Sequence, residues 1–212
     1  MGNSLGGFAA LYTASQAPDL TRSLVLLNSA GRFESTSSDP ESTLRAGEGA
    51  GGESPELPSF ATVLLRQLAE LGKRAVVHAS FIFTKQPLRI AQVLKQVYAD
   101  PTNVDDELIE SIRRPADDPN AAEVFFRIIS SGGKTTVTVN QLVRDLRVPL
   151  LLLWGDKDPW IRPERAETIK ALYAGPRVEH VKTLAGHCPH DDQPAIVNAA
   201  LEGWLTSLTA AP

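Results

Sequence analysis

Hydrophobic positions along this chain follow two periods. Leu5, Phe8, Ala9, Leu11, Tyr12 and Ala14 recur at helical spacing up to Gln16, and Pro18 falls just past the end. Ser23-Leu24-Val25-Leu26-Leu27-Asn28 is instead a short, nearly continuous apolar run, the pattern of a strand buried on both faces. Val148 to Trp154 repeats that pattern, and Arg177 to Leu184 supplies a third strand. Pro163 to Tyr173 reads as a helix with Gly175 as its stop. Pro194 to Leu208, with Ile196, Val197, Ala200, Leu201, Trp204 and Leu205, reads as a closing helix. Strands separated by helices predict an α/β architecture with a parallel sheet.

The middle of the chain differs. Residues 34–59 are rich in Ser, Gly, Glu and Pro and nearly free of apolar side chains, which predicts a flexible surface insertion. Residues 60–131 read as helices. Phe60 to about Phe83 forms the first, with Gly72 as a candidate break, and Arg89 to Tyr98 the second. Asn103 or Asp105 caps a third helix through Leu108, Ile109 and Ile112, which stops before Pro115. Pro119 to Ile129 gives a fourth. Helices in this place form either a cap over a substrate site or ordinary core, and periodicity does not distinguish them. The expected organisation is a core segment at 1–33, the insertion at 34–59, a helical cap at 60–135 and a second core segment at 136–212.

Composition adds bounds. A length of 212 residues suits one domain with a sizeable core. The net charge of −4 gives no nucleic-acid footprint. A single cysteine, Cys188, excludes an internal disulfide framework. No apolar run is long enough for a membrane span, and no signal or transit peptide is readable.

Candidate chemistry begins at the first residues. Gly2-Asn3-Ser4-Leu5-Gly6 reads G-x-S-x-G, a sharp strand-to-helix turn that exposes a serine hydroxyl. Glycines suit such a turn because a missing Cβ lets strand and helix approach closely. A serine nucleophile needs a base, and the base needs a carboxylate to fix its tautomer. Asp156 and Asp158 follow the second strand, and His187 and His190 follow the third. All would emerge at the carboxyl ends of parallel strands, where open α/β sheets place their sites. Position beside Gly186 favours His187 over His190. Spacing alone leaves Asp156 and Asp158 open. His78 reads as a packing or surface residue, and strand alternation makes His180 exposed or satisfied. The His187-Cys188-Pro189-His190-Asp191-Asp192 run is too crowded for a tetrahedral metal site and has no second cluster to complete one, so no metal is expected, and a serine–histidine–aspartate reaction needs no cofactor.

The elbow Gly2 to Gly7, the Leu26-Leu27-Asn28 strand end, Asp158-Pro159-Trp160 with Pro163, and Ala185 to Asp191 together resemble α/β-hydrolases of the pheophytinase type. Ile90 to Asp100 and Asn103-Val104-Asp105 resemble the cap of that group. The resemblance implies Ser4 as nucleophile, His187 as general base, Asp158 as acid and the Leu5 N–H as one oxyanion donor. It implies hydrolysis of an apolar ester, the phytyl ester of pheophytin or a related chlorin, in a chloroplast. It also implies that the first half of the sheet and the second oxyanion donor would lie before Met1. The chain is then expected to be a C-terminal portion with little activity of its own. The rivals are another serine hydrolase, such as a lipase, an esterase or a carbon–carbon bond hydrolase, and a non-catalytic fragment that keeps the triad as a relic.

Overall fold

A computed structural model of the chain describes residues 1–34, 60–131 and 136–209. The expected insertion at 34–59 therefore lies almost wholly outside the described residues, as does the glycine pair after the fourth helix. Four parallel strands form one sheet in the order β1-β2-β3-β4: β1 (Gly2–Asn3), β2 (Leu24–Leu27), β3 (Leu150–Gly155) and β4 (Val178–Thr183). Register pairs Leu24 with Leu150 and Leu150 with Val178; β1 and β2 end level at Asn3 and Leu27, and β3 and β4 run two residues further to Gly155 and Thr183.

The continuous apolar runs have a simple origin. Leu24, Leu26, Leu150, Leu152 and Trp154 face one side and pack on α1 (Ser4–Gln16), α6 (Val139–Asp145) and α7 (Glu164–Leu172). Val25, Leu27, Leu151 and Leu153 face the other and pack on Val197 and Trp204 of α9 (Pro194–Thr209). Successive strand residues point to opposite faces, and both faces are covered, so neither parity can be polar.

The helical segment is α2 (Phe60–Thr84), α3 (Pro87–Val97), α4 (Asp106–Arg113) and α5 (Ala121–Ser131). Gly72 does not interrupt α2, since a single glycine costs only about 1 kcal/mol relative to alanine inside a helix. Asp105 rather than Asn103 caps α4, accepting from Leu108 N–H at 2.8 Å. A short α8 (Pro189–Asp192) and α6 have no counterpart in the periodicity reading. The legible signal for α6 is its capping box: Thr138 accepts from Gln141 N–H at 3.2 Å, and the Gln141 side chain accepts from Thr138 N–H at 3.0 Å.

Two expectations are corrected. Only Gly7, Leu11 and Ala14 of α1 are buried, whereas Leu5, Ala9 and Tyr12 are exposed, so its apolar surface is wider than the face the sheet covers. The His180 side chain is neither exposed nor satisfied. It is buried, with Nδ1 3.5 Å from Glu167 and Nε2 without a partner.

Candidate active site

The carboxyl ends of β1, β2, β3 and β4 converge, and each delivers one part of a polar cluster. Ser4 follows β1 directly and holds φ at 51°, the left-handed region that non-glycine residues seldom adopt. The flanking glycines explain how that turn fits, although not all of them. A Cβ on Gly2 would overlap the Gly6 carbonyl, and one on Gly7 would press on the Ser29 side chain at 2.7 Å. A Cβ on Gly6 would meet nothing, so close approach accounts for Gly2 and Gly7 but not for Gly6. Ser4 opens α1, and Leu5 lies in its first turn. Its N–H has no carbonyl one turn earlier to bond and is free to donate outward.

Asp158 sits on the loop after β3. Its carboxylate is almost fully buried and every lone-pair direction is used. Oδ1 accepts from Trp160 N–H at 2.8 Å and Ile161 N–H at 3.1 Å. Oδ2 accepts from the Asn28 side chain at 2.6 Å and meets His187 Nδ1 at 2.8 Å. Burial alone would raise its pKa. The bonds from His187, Ile161 and Trp160 outweigh that and hold it below the ordinary carboxylate value. An ionised carboxylate only accepts, so His187 presents a hydrogen on Nδ1 to Asp158. Asp156, the other candidate, is exposed at the surface of the same loop. The loop itself is pinned by Trp154, whose indole N–H donates to Ile161 O at 3.0 Å.

His187 lies on the loop after β4 and is buried. The Trp160 ring meets its imidazole edge-on at 5.0 Å between centroids. The Asn3 side chain donates to Leu27 O at 3.1 Å and to His187 O at 2.9 Å, stitching the turn before Ser4 to the histidine loop. The structure thus joins Asp158 and His187 directly and Ser4 to His187 through the neighbouring backbone. No hydrogen bond joins the Ser4 hydroxyl to the imidazole. His190 is exposed, and His78 packs edge-on to Phe126.

Asn28 had no role in the sequence reading beyond marking a strand end. It is fully buried at φ 37°, donates to Asp158, and accepts from Gly155 N–H at 2.9 Å. Its one legible signal was a polar residue terminating an apolar run. Beside the histidine, the Cys188 thiol is pushed up by burial. The Tyr98 hydroxyl, pushed up first by burial and then by its 2.5 Å bond to Asp191, stays protonated. Among the described residues no group of three or more His, Cys, Asp or Glu side chains could hold a metal ion, and no helix is long and apolar enough to cross a membrane.

Residues 1–200 match the model of an alpha/beta hydrolase family. The chain is 30% identical over 209 residues to chloroplastic pheophytinase of Arabidopsis thaliana, a match that covers 98% of this chain and 40% of that protein. A putative lipase from Acinetobacter baumannii AYE superposes with a TM-score of 0.65 at 21% identity, over 98% of this chain and 60% of the lipase. A 2-hydroxy-6-oxo-6-phenylhexa-2,4-dienoate hydrolase from Rhodococcus sp. strain RHA1 superposes with a TM-score of 0.61 at 18% identity, over 99% of this chain and 63% of its own. The chain thus spans 40% of pheophytinase and less than two thirds of each of the two structures, and the structural likenesses bear on fold alone.

Proposed function

The chain belongs to the alpha/beta hydrolase family, and from that premise we propose that its site is that of a serine hydrolase acting on a carboxylic ester. The observation that carries this reading is the buried 2.8 Å bond between His187 Nδ1 and Asp158 on neighbouring post-strand loops. A surface ion pair would need no such burial, and the loop that carries this pair is tied by the Asn3 side chain to the turn that opens on Ser4.

Ser4 Oγ attacks the ester carbonyl while His187 Nε2 takes its proton. Asp158 holds the ring and balances the imidazolium that forms. The tetrahedral oxyanion is met by the Leu5 N–H. Collapse expels the alcohol, which takes from His187 the proton that Ser4 gave up, and leaves an acyl group on Ser4. Water, deprotonated by the same nitrogen, then attacks the acyl carbon, and Ser4 leaves with that proton. No cofactor enters any step.

For the substrate we propose a phytyl ester of pheophytin or a related chlorin, with α2–α5 as a cap over the long apolar alcohol and a chloroplast as its setting. The support is the similarity to pheophytinase across nearly the whole chain. A second reading is a non-catalytic module that keeps the cluster without turnover. Labelling with a fluorophosphonate separates the two. Wild type should label at Ser4 and Ser4→Ala should not, and an unlabelled wild type sinks the enzyme reading. Phytol release from pheophytin, set against simple acyl esters, then tests the substrate.

A further inference from the structure

The loop that carries His187 is fastened to the cap as well as to its own strand. Asp192, the last residue of α8, is buried, and its carboxylate gathers four N–H groups. Oδ2 accepts from Gly186 N–H at 2.7 Å and Ala99 N–H at 2.8 Å. Oδ1 accepts from the Asn103 side chain at 3.0 Å and Asp100 N–H at 3.2 Å. Next to it, His187 N–H donates to Val97 O at 2.7 Å, at the end of α3. A Cβ on Gly186 would overlap that same carbonyl, so the two backbones touch with nothing between them.

Burying a carboxylate is unfavourable unless its lone pairs are taken. Here they are taken, and three of the four donors belong to the 98–103 turn. The fourth is the peptide N–H immediately before His187. One anion therefore bridges the cap and the backbone of the histidine. The side chain of His187 is fixed separately by Asp158. The imidazole thus has two anchors, one from the core and one from the cap.

Resting on the hydrolase reading, we propose that Asp192 is a positioning residue for His187, through which the 98–103 turn of the cap sets where the imidazole stands relative to Ser4. Opening of this turn would move the base away from the serine, so cap and chemistry are mechanically coupled.

The test compares the wild-type chain with Asp192→Asn and Asn103→Ala. Asp192→Asn keeps the shape but turns an NH2 group toward two of the donors, whereas Asn103→Ala removes one donor from a half-exposed position. Two readouts are taken: fluorophosphonate labelling of Ser4, resolved into maximal rate and half-saturating concentration, and the far-downfield proton resonance of the His187 Nδ1–H bond. Asp192→Asn should slow the maximal labelling rate about 100-fold, the scale of a 1 Å misplacement. Its half-saturating concentration should stay within about twofold and its resonance should shift or vanish. Asn103→Ala should act in the same direction by about tenfold, the scale of one hydrogen bond to a charged group. Unchanged rate and resonance in both variants overturn the proposal, as does a change confined to the half-saturating concentration. If Asp192→Asn does not fold by circular dichroism, Asn103→Ala decides. If wild type itself does not label, the hydrolase reading fails, and the resonance alone decides the positioning role.

Discussion

Replacing Asn28 by aspartate should reverse the pH dependence of stability. The substitution keeps side-chain shape and the bond from Gly155 N–H, and aspartate tolerates the left-handed φ of 37° as asparagine does. What changes is the group 2.6 Å from Asp158 Oδ2, which becomes a second carboxyl. Two unit charges at that distance repel by about 6 kcal/mol at an effective dielectric of about 20. Keeping one carboxyl protonated at pH 7 costs only about 4 kcal/mol, from an ordinary pKa near 4 and about 1.4 kcal/mol per pH unit. Protonation is the cheaper outcome, so the native cluster binds one proton that the unfolded chain releases. Stability then rises as pH falls, by about 2.7 kcal/mol from pH 7 to pH 5, wherever in the cluster that proton sits. Urea unfolding of wild type and Asn28→Asp at pH 5, 6, 7 and 8 reads this as a difference, in which the remaining titrating groups cancel. A difference that is flat across pH 5 to 7 would refute the reasoning, because it would mean that Asn28 and Asp158 are not in contact in the folded protein.

Asp158 contributes the opposite slope in the wild-type protein. Its folded pKa lies below the ordinary 3.8, so its stabilisation is full above that value and is lost as pH falls through the lower folded one. The stability gap between wild type and Asp158→Asn, followed by urea unfolding from pH 5 down to 2.5, should therefore shrink with acid, and a gap that widens contradicts the hydrogen-bond account. Gly6→Ala should be neutral or stabilising by up to about 1 kcal/mol, since its Cβ has open space and alanine is the better helix former. Gly186→Ala should lower the thermal midpoint markedly, because its Cβ overlaps the Val97 carbonyl, and equal midpoints for the two variants would show that the loop and α3 do not touch. The Cys188 thiol, raised by burial, should alkylate slowly in the native protein and quickly in urea, and rapid native modification by iodoacetamide at pH 8 would argue against the packed loop.

The sequence by itself determined the layers. A strand covered on both faces must be apolar at every position, so Leu24–Leu27 and Leu150–Trp154 announced a parallel sheet from local composition alone. The G-x-S-x-G turn and the loops ending in Asp158 and His187 were legible for a related reason: their chemistry is carried by residue type and chain order. Tertiary structure decided the rest. Asp156 and Asp158 differ by two positions and share a loop, and only folding put Asp158 among four donors while leaving its neighbour in water. The roles of Asn28 and Asp192 were not legible locally, because Asp158 stands 130 residues from Asn28 and three of the four donors to Asp192 stand about 90 residues from it. Local sequence encodes which face of an element is buried. Which polar groups meet at its end depends on the register of strands far apart in the chain, which no local window contains.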